Sequence, residues 1–157
     1  MRSVTRRIVI FLATGAGSGY APIASGTAGS VVGLALAYFV LAPIWQAYPL
    51  GFALCFGIAF IGGCGVAGAA ERILGEHDSS KIVLDEIFGM VAAMFLNPSG
   101  VPWVAASFVI FRFFDIVKPF PASYFDRRVG GGAGVMLDDL AAGIYANLML
   151  QAARRLL

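Results

Sequence analysis

The stretch IVIFLATGAGSGYAPIASGTAGSVVGLALAYFVLAPIWQAYPLGFALCFGIAFIGGCGVAGAA, residues 8–70, has no Asp, Glu, Lys or Arg at any of its 63 positions. As helix it would reach about 95 Å at 1.5 Å per residue, enough to cross a ~30 Å hydrocarbon core more than once. The whole 157-residue chain has the same bias, with 59% hydrophobic and 13% charged residues. Ordinary soluble domains carry roughly 45–50% apolar and about 25% charged residues. That departure excludes a disordered chain and argues against a soluble domain. The chain reads as one membrane-embedded domain over residues 1–157.

Upstream of the uncharged run stand Arg2, Arg6 and Arg7. The apolar core that follows them, Ile8 to Ala13, is too short for a signal peptide and leads into more membrane sequence. The arginines therefore predict a cytoplasmic N-terminus. A net charge of +2 without a continuous basic stripe gives no reason to expect nucleic acid as a partner. Cys55 and Cys64 fall inside an expected span and read as small packing residues.

Glycines and Pro22 make Gly15–Ser30 an irregular stretch rather than a span. Ala28–Tyr48 is the first expected span, bent at Pro43, and Leu50–Ala70 is the second. Gly57, Gly62, Gly63, Gly65 and Gly68 predict close helix packing along the second. Glu71–Glu86 is a polar loop holding the single histidine, His77. Two short apolar runs, Ile87–Leu96 and Val101–Phe111, flank the turn Asn97-Pro98-Ser99-Gly100. A second polar loop, Asp115–Leu137, precedes a helix over Leu137–Leu150 and the pair Arg154-Arg155. The expected fold is all-α, a polytopic membrane bundle of about four to five helices, some short or broken. In that topology all nine acids collect on one face. Arg154 and Arg155 then sit opposite, against the positive-inside preference, which leaves the C-terminal topology open.

Three acidic positions abut apolar runs: Asp85-Glu86, Asp115 and Asp138-Asp139. An ionised acid in a span costs at least about 2.5–3.5 kcal/mol, so these are functional candidates. A hard divalent cation, Mg²⁺ or Mn²⁺, would relieve both the desolvation and the mutual repulsion of the pairs. Any one pair alone fits a water-facing helix flank; three clusters favour metal. Arg112 and Asp115 share a helix face at three residues' spacing. That spacing fits a simple ion pair; equally, Arg112 and Lys118, which lies just beyond it before Pro119, could hold phosphate oxygens, one by a fork and the other as a point charge. The glycine-rich segment from Gly15 to Ser30 could cradle an anion with backbone N–H groups. It has no preceding strand and no Gly-Lys-Ser/Thr, so neither dinucleotide nor P-loop binding follows. His77 alone reads as a polar loop residue. Neither cysteine has an arginine nearby, one histidine is too few for a histidine-nucleophile lipid phosphatase, and no serine occupies a Gly-x-Ser-x-Gly elbow.

Four blocks follow one another in this sequence: Gly17-Ser18-Gly19 with Gly26-Thr27-Ala28-Gly29-Ser30; Ile82–Met90; Phe111–Pro121; and Asp126-Arg127 with Gly131–Asp139. In order and spacing, over residues 15–145, they resemble the phosphatidylglycerophosphatase A family of bacterial membrane lipid phosphatases, and His77-Asp78 is similar to the family's first polar loop. The resemblance implies a multi-pass helical protein of the bacterial cytoplasmic membrane. It also implies Mg²⁺-dependent hydrolysis of the terminal phosphate of phosphatidylglycerophosphate to phosphatidylglycerol.

Taken with the residue pattern, Asp85, Glu86, Asp138 and Asp139 are the expected ligands of one or two Mg²⁺ ions, on the cytoplasmic side. Asp85, Glu86 and Asp115 are the expected catalytic acids, Asp115 as a further ligand or as the base for water. Arg112, Lys118 and Lys81 would neutralise the phosphate, helped by Ser18, Thr27 and Ser30. An aspartyl-phosphate on Asp85 or Asp115 is the alternative route. Rival classes are a small ion transporter or channel and a Mg²⁺-dependent membrane lipid transferase. Acids at span ends rather than along spans favour interfacial chemistry over an ion pathway.

Overall fold

The computed structural model describes residues 3–156, so Arg2 lies outside the described residues. The described residues form eight α-helices: α1 Ser3–Ala13, α2 Ser25–Leu36, α3 Ala42–Ala47, α4 Pro49–Leu74, α5 Leu84–Met94, α6 Val101–Val117, α7 Ala122–Arg128 and α8 Gly131–Leu156. Three stretches are long and apolar enough to cross a bilayer: Ser25–Ala47, Pro49–Leu74 and Gly131–Leu156. Exposed apolar side chains on their outer faces, such as Phe39 (75%), Ile58 (73%) and Ile61 (73%), are what lipid tails would solvate. The chain is a helical membrane bundle.

Several boundaries differ from the sequence expectation. The irregular entry segment is shorter than Gly15–Ser30, because α2 already starts at Ser25. Where the sequence predicts a bend at Pro43, the first span has a π-helical turn at Ala37–Leu41, ending two residues before that proline. Proline lacks the N–H that would bond the carbonyl four residues back, and its ring crowds that carbonyl, so the helix widens there. Helix α4 continues through Glu71 and Arg72 and stops only at Gly75, which takes the left-handed capping conformation. Much of the expected second polar loop, Asp115–Leu137, is helical: α6 reaches Val117, α7 takes Ala122–Arg128, and Gly131, Gly132 and Gly134 already belong to the start of α8, which packs against α4 and α7. Of the α4 glycines expected at helix contacts, a Cβ at Gly57, Gly62 or Gly65 would meet nothing within 4 Å; only Gly63 and Gly68 face a neighbouring helix.

Two ends can be distinguished. At one end the Gly75–Val83 loop returns to the N-terminal segment: Val83 N–H donates to Ala13 O at 2.9 Å, and the Ser25 hydroxyl donates to Ser80 O at 2.6 Å. At the other end Trp45, Phe52 and Phe95 interlock edge-on and stacked. There the Asn147 amide donates to Ala92 O (3.1 Å), Ala93 O (3.2 Å) and Phe95 O (2.6 Å), capping the C-terminus of α5 from a different helix. Arg154 reaches Leu96 O at the same end, so α8 runs the full length of the bundle.

Helix α5 is the centrepiece. It has 11 residues, about 16 Å of helix, and cannot span alone. It is stable because α8, α2 and α6 enclose it, burying Met90, Val91, Ala93 and Met94. Its contact with α8 is backbone to backbone. A Cβ on Gly143 would lie 2.2 Å from Gly89 O, and one on Gly89 would lie 2.7 Å from Asp139 O, so both positions require glycine.

Candidate active site

Three carboxylates converge where α5 and α8 meet. Asp85 and Glu86 occupy the first turn of α5, and Asp139 lies two turns into α8. One oxygen from each lies within 4.8 Å of the others, and Asp85 and Asp139 are 8% and 4% exposed. Asp85 Oδ1, Glu86 Oε2 and Asp139 Oδ2 are buried without any hydrogen-bond partner. Buried carboxylate oxygens without partners cost several kcal/mol unless a cation or a proton compensates them. Three hard oxygen donors, with no sulfur or imidazole among them, fit an oxygen-ligated divalent cation.

Asp115, on the last turns of α6, lies near enough for its charge to bear on Asp139 and Glu86. It is held by Arg112, one turn earlier on the same helix, with Nη1 2.5 Å from Asp115 Oδ2. The same Nη1 donates to Ser30 Oγ at 3.3 Å, and Ser30 in turn donates to Gly26 O at 2.8 Å. Arg112 therefore ties the acids to the first turns of α2. A Cβ on Gly26 would lie 2.3 Å from Glu86 Oε1 and 3.3 Å from Arg112 Nη1. Glycine there leaves the only room for Glu86, and it sets an uncapped helix N-terminus, favourable to negative charge, beside the acids. Thr27 is half-buried in that same turn.

The remaining expected site residues are placed elsewhere. Asp138 points away from the triad: its Oδ2 accepts from Lys118 Nζ at 2.5 Å, and its Oδ1 accepts the Asp139 N–H at 2.9 Å. Lys118 is further engaged by Asp126 Oδ1, also at 2.5 Å. Lys118 ends α6 at a φ of 46°, a left-handed conformation that a non-glycine residue adopts at a cost the two ion pairs offset. Partial burial pulls its ammonium down, but the Asp126 and Asp138 carboxylates outweigh this and hold it above the ordinary lysine range. Lys81 faces Glu76 at 3.8 Å, and the Ser18 hydroxyl donates to Thr14 O at 3.3 Å.

Asp126 and Gly26 stand in the blocks that carry the resemblance, but the sequence assigns neither a part in the site, and Glu71 figures only as the edge of a polar loop. Glu71 accepts from His77 Nδ1 at 2.6 Å and from the Asp78 N–H at 2.9 Å, which pins the loop that leads into α5. The hydrogen bond to Glu71 and its charge raise the His77 imidazole above its ordinary 6.5. The charged pair is thus complete below pH 6.5 and is lost as pH rises through the raised value. An NMR titration of wild type is expected to place His77 above 6.5, and Glu71→Gln to bring it back down.

The family model for phosphatidylglycerophosphatase A matches residues 11–154. A phosphatidylglycerophosphatase A of Escherichia coli (strain K12) is 42% identical over 138 residues, covering 86% of this chain and 77% of the relative. One from Haemophilus influenzae is 41% identical over 141 residues, covering 88% and 84%. A protein from Bacteroides thetaiotaomicron, provisionally named a phosphatidylinositol-3-phosphatase, is 37% identical over 155 residues, covering 92% of each chain. No solved structure matches the chain.

Proposed function

The chain belongs to the phosphatidylglycerophosphatase A family, and we propose that it hydrolyses the terminal phosphate of phosphatidylglycerophosphate with Mg²⁺ held by Asp85, Glu86 and Asp139. The product would be phosphatidylglycerol, within phospholipid biosynthesis. The observation that carries the assignment of the site is the set of buried, partnerless oxygens on Asp85, Glu86 and Asp139, converging within 4.8 Å.

The chemistry a hard cation supplies there when bound is polarisation of a phosphoryl oxygen and a more acidic attacking water. Arg112, placed between Asp115 and Ser30, takes the phosphate oxygens from the α2 side. The N-terminal turn of α2, which has no side-chain cap, donates its free N–H groups to the same dianion. Asp115, oriented by Arg112, receives the proton of the attacking water. Lys118 acts through Asp138, holding the peptide that presents Asp139. An apolar groove of about 480 Å³ between the first two spans, lined by residues such as Leu36, Phe52, Phe56, Ile87 and Phe88, takes an acyl chain. Arg6, Arg7, Arg72, Lys81, Lys118, Arg127 and Arg128 belong to the segments at or leading to the acidic end, against Arg154 and Arg155 at the other. That imbalance supports a cytoplasmic active site in a bacterial inner membrane.

The decisive assay measures inorganic phosphate released by detergent-purified protein from phosphatidylglycerophosphate, phosphatidylinositol-3-phosphate and phosphatidic acid, each with Mg²⁺ and with EDTA. Release from phosphatidylglycerophosphate that stops in EDTA is expected. Full release in EDTA, or preference for the inositol lipid, would overturn the metal or the substrate assignment respectively. Arg112→Lys is expected to lower kcat/KM by about tenfold, because Nη1 already serves Asp115 and Ser30, and a single ammonium in its place has no second nitrogen to give the phosphate.

A further inference from the structure

We propose that the cleft between α1 and the Ser18–Tyr20 turn is a binding site for an anionic phospholipid, separate from the carboxylate site. Helix α1 has 11 residues, about 16 Å, too short to cross a bilayer. Val4, Ile8, Phe11 and Leu12 fall on one stripe of it and are 65%, 54%, 59% and 45% exposed. Val9, Ile10 and Ala13 pack inward with the cluster around Phe60, Ala67 and Met136. A short helix with an unpartnered apolar stripe and two arginines, but no acid, has the make-up of one that lies in the membrane interface.

The cleft beside it measures about 470 Å³, within the range of ligand sites, and is lined by Arg6, Arg7, Ile10, Phe11, Thr14 and Tyr20 among others. Both arginines are exposed, and neither pairs with a carboxylate among the described residues. Two unneutralised guanidiniums call for an anion with oxygens arranged as in a phosphodiester. Ile10, Phe11 and Ala16 line the cleft beside the arginines, and Phe11 belongs also to the exposed stripe of α1, which suits the upper part of an acyl chain and does not suit a free phosphate. An occupant would bear on the first turn of α5: Ala13 O accepts the Val83 N–H, and Gly15 abuts Val83 and Ile87.

The full chain in detergent and EDTA, which keeps divalent cations off the carboxylates, is titrated with short-chain phosphatidylglycerol, phosphatidylcholine or inorganic phosphate. Adducts are counted by native mass spectrometry. One saturable phosphatidylglycerol per chain is expected, with phosphatidylcholine weaker by roughly tenfold or more and no displacement by inorganic phosphate. Arg6→Gln with Arg7→Gln should abolish that preference. Arg127→Gln with Arg128→Gln removes the same charge from exposed residues outside the cleft and should preserve it. Thermal melts confirm that both variants are folded. Retained preference in the first variant, equal loss in both, or displacement by inorganic phosphate would overturn the site.

Discussion

Asp85→Asn is expected to cut phosphate release by about 10³-fold, the scale on which losing one preorganised electrostatic partner of the transition state is felt, while the detergent-solubilised protein melts no earlier than wild type in EDTA. The two halves of this result come from one geometry. Asp85 is 8% exposed, its Oδ1 has no partner, and its nearest titratable neighbours are the acids Glu86 and Asp139. Without a cation, removing one negative charge from that cluster relieves repulsion and desolvation together. With a cation, the same substitution removes a charged ligand from a set of three. Wild type should therefore gain thermal stability on Mg²⁺ addition, and Asp85→Asn should gain little. A variant that keeps activity within tenfold, or that still gains the full Mg²⁺ stabilisation, would take Asp85 out of the site. Such a signature also separates a functional acid from a structural one, whose loss lowers the melt whatever the metal.

The fold was legible where physics acts over long stretches. A run of 63 uncharged residues has one solution in a bilayer, and the Asn97-Pro98-Ser99-Gly100 turn breaks a helix wherever it is placed. Boundaries set by neighbours were not legible. Glu71 reads as loop by its charge, yet it is helical and 9% exposed because His77 and the Asp78 N–H satisfy it from outside the helix. The glycine run at 130–134 reads as loop by propensity, yet most of it is helix because α8 packs against α4 and α7 there. Within the site, the acids announced themselves through the cost of burying charge. The sequence could not divide Asp138 from Asp139, since adjacent residues on a helix point about 100° apart and only the neighbouring helices decide which one faces α5. Lys118 shows the same limit: a basic residue just beyond Arg112 suits a phosphate, and only the fold reveals that Asp126 and Asp138 already hold it.

Gly143→Ala is the variant that tests whether the helix contact itself builds the site. Its Cβ would lie 2.2 Å from the carbonyl oxygen of Gly89, a backbone atom that cannot swing aside, so α5 and α8 must separate by about 1 Å to reach ordinary contact. Gly143 is four residues beyond Asp139 on α8, and Gly89 is four beyond Asp85 on α5, so the wedge enters one turn below the carboxylates. Activity should fall by about 10²-fold, the effect of a 1 Å misplacement on a positioned reaction. Overpacking should lower stability by about 1–3 kcal/mol. Gly62→Ala and Gly65→Ala provide the contrast: both lie on α4, where an added methyl meets nothing within 4 Å. They should leave activity unchanged and stabilise the helix by up to about 1 kcal/mol. Phosphate release and melting points on the three proteins decide the matter. If Gly143→Ala behaves like the α4 variants, the carboxylates are not positioned by the closeness of α5 and α8, and the converged acid triad would need another explanation than a preformed cation site.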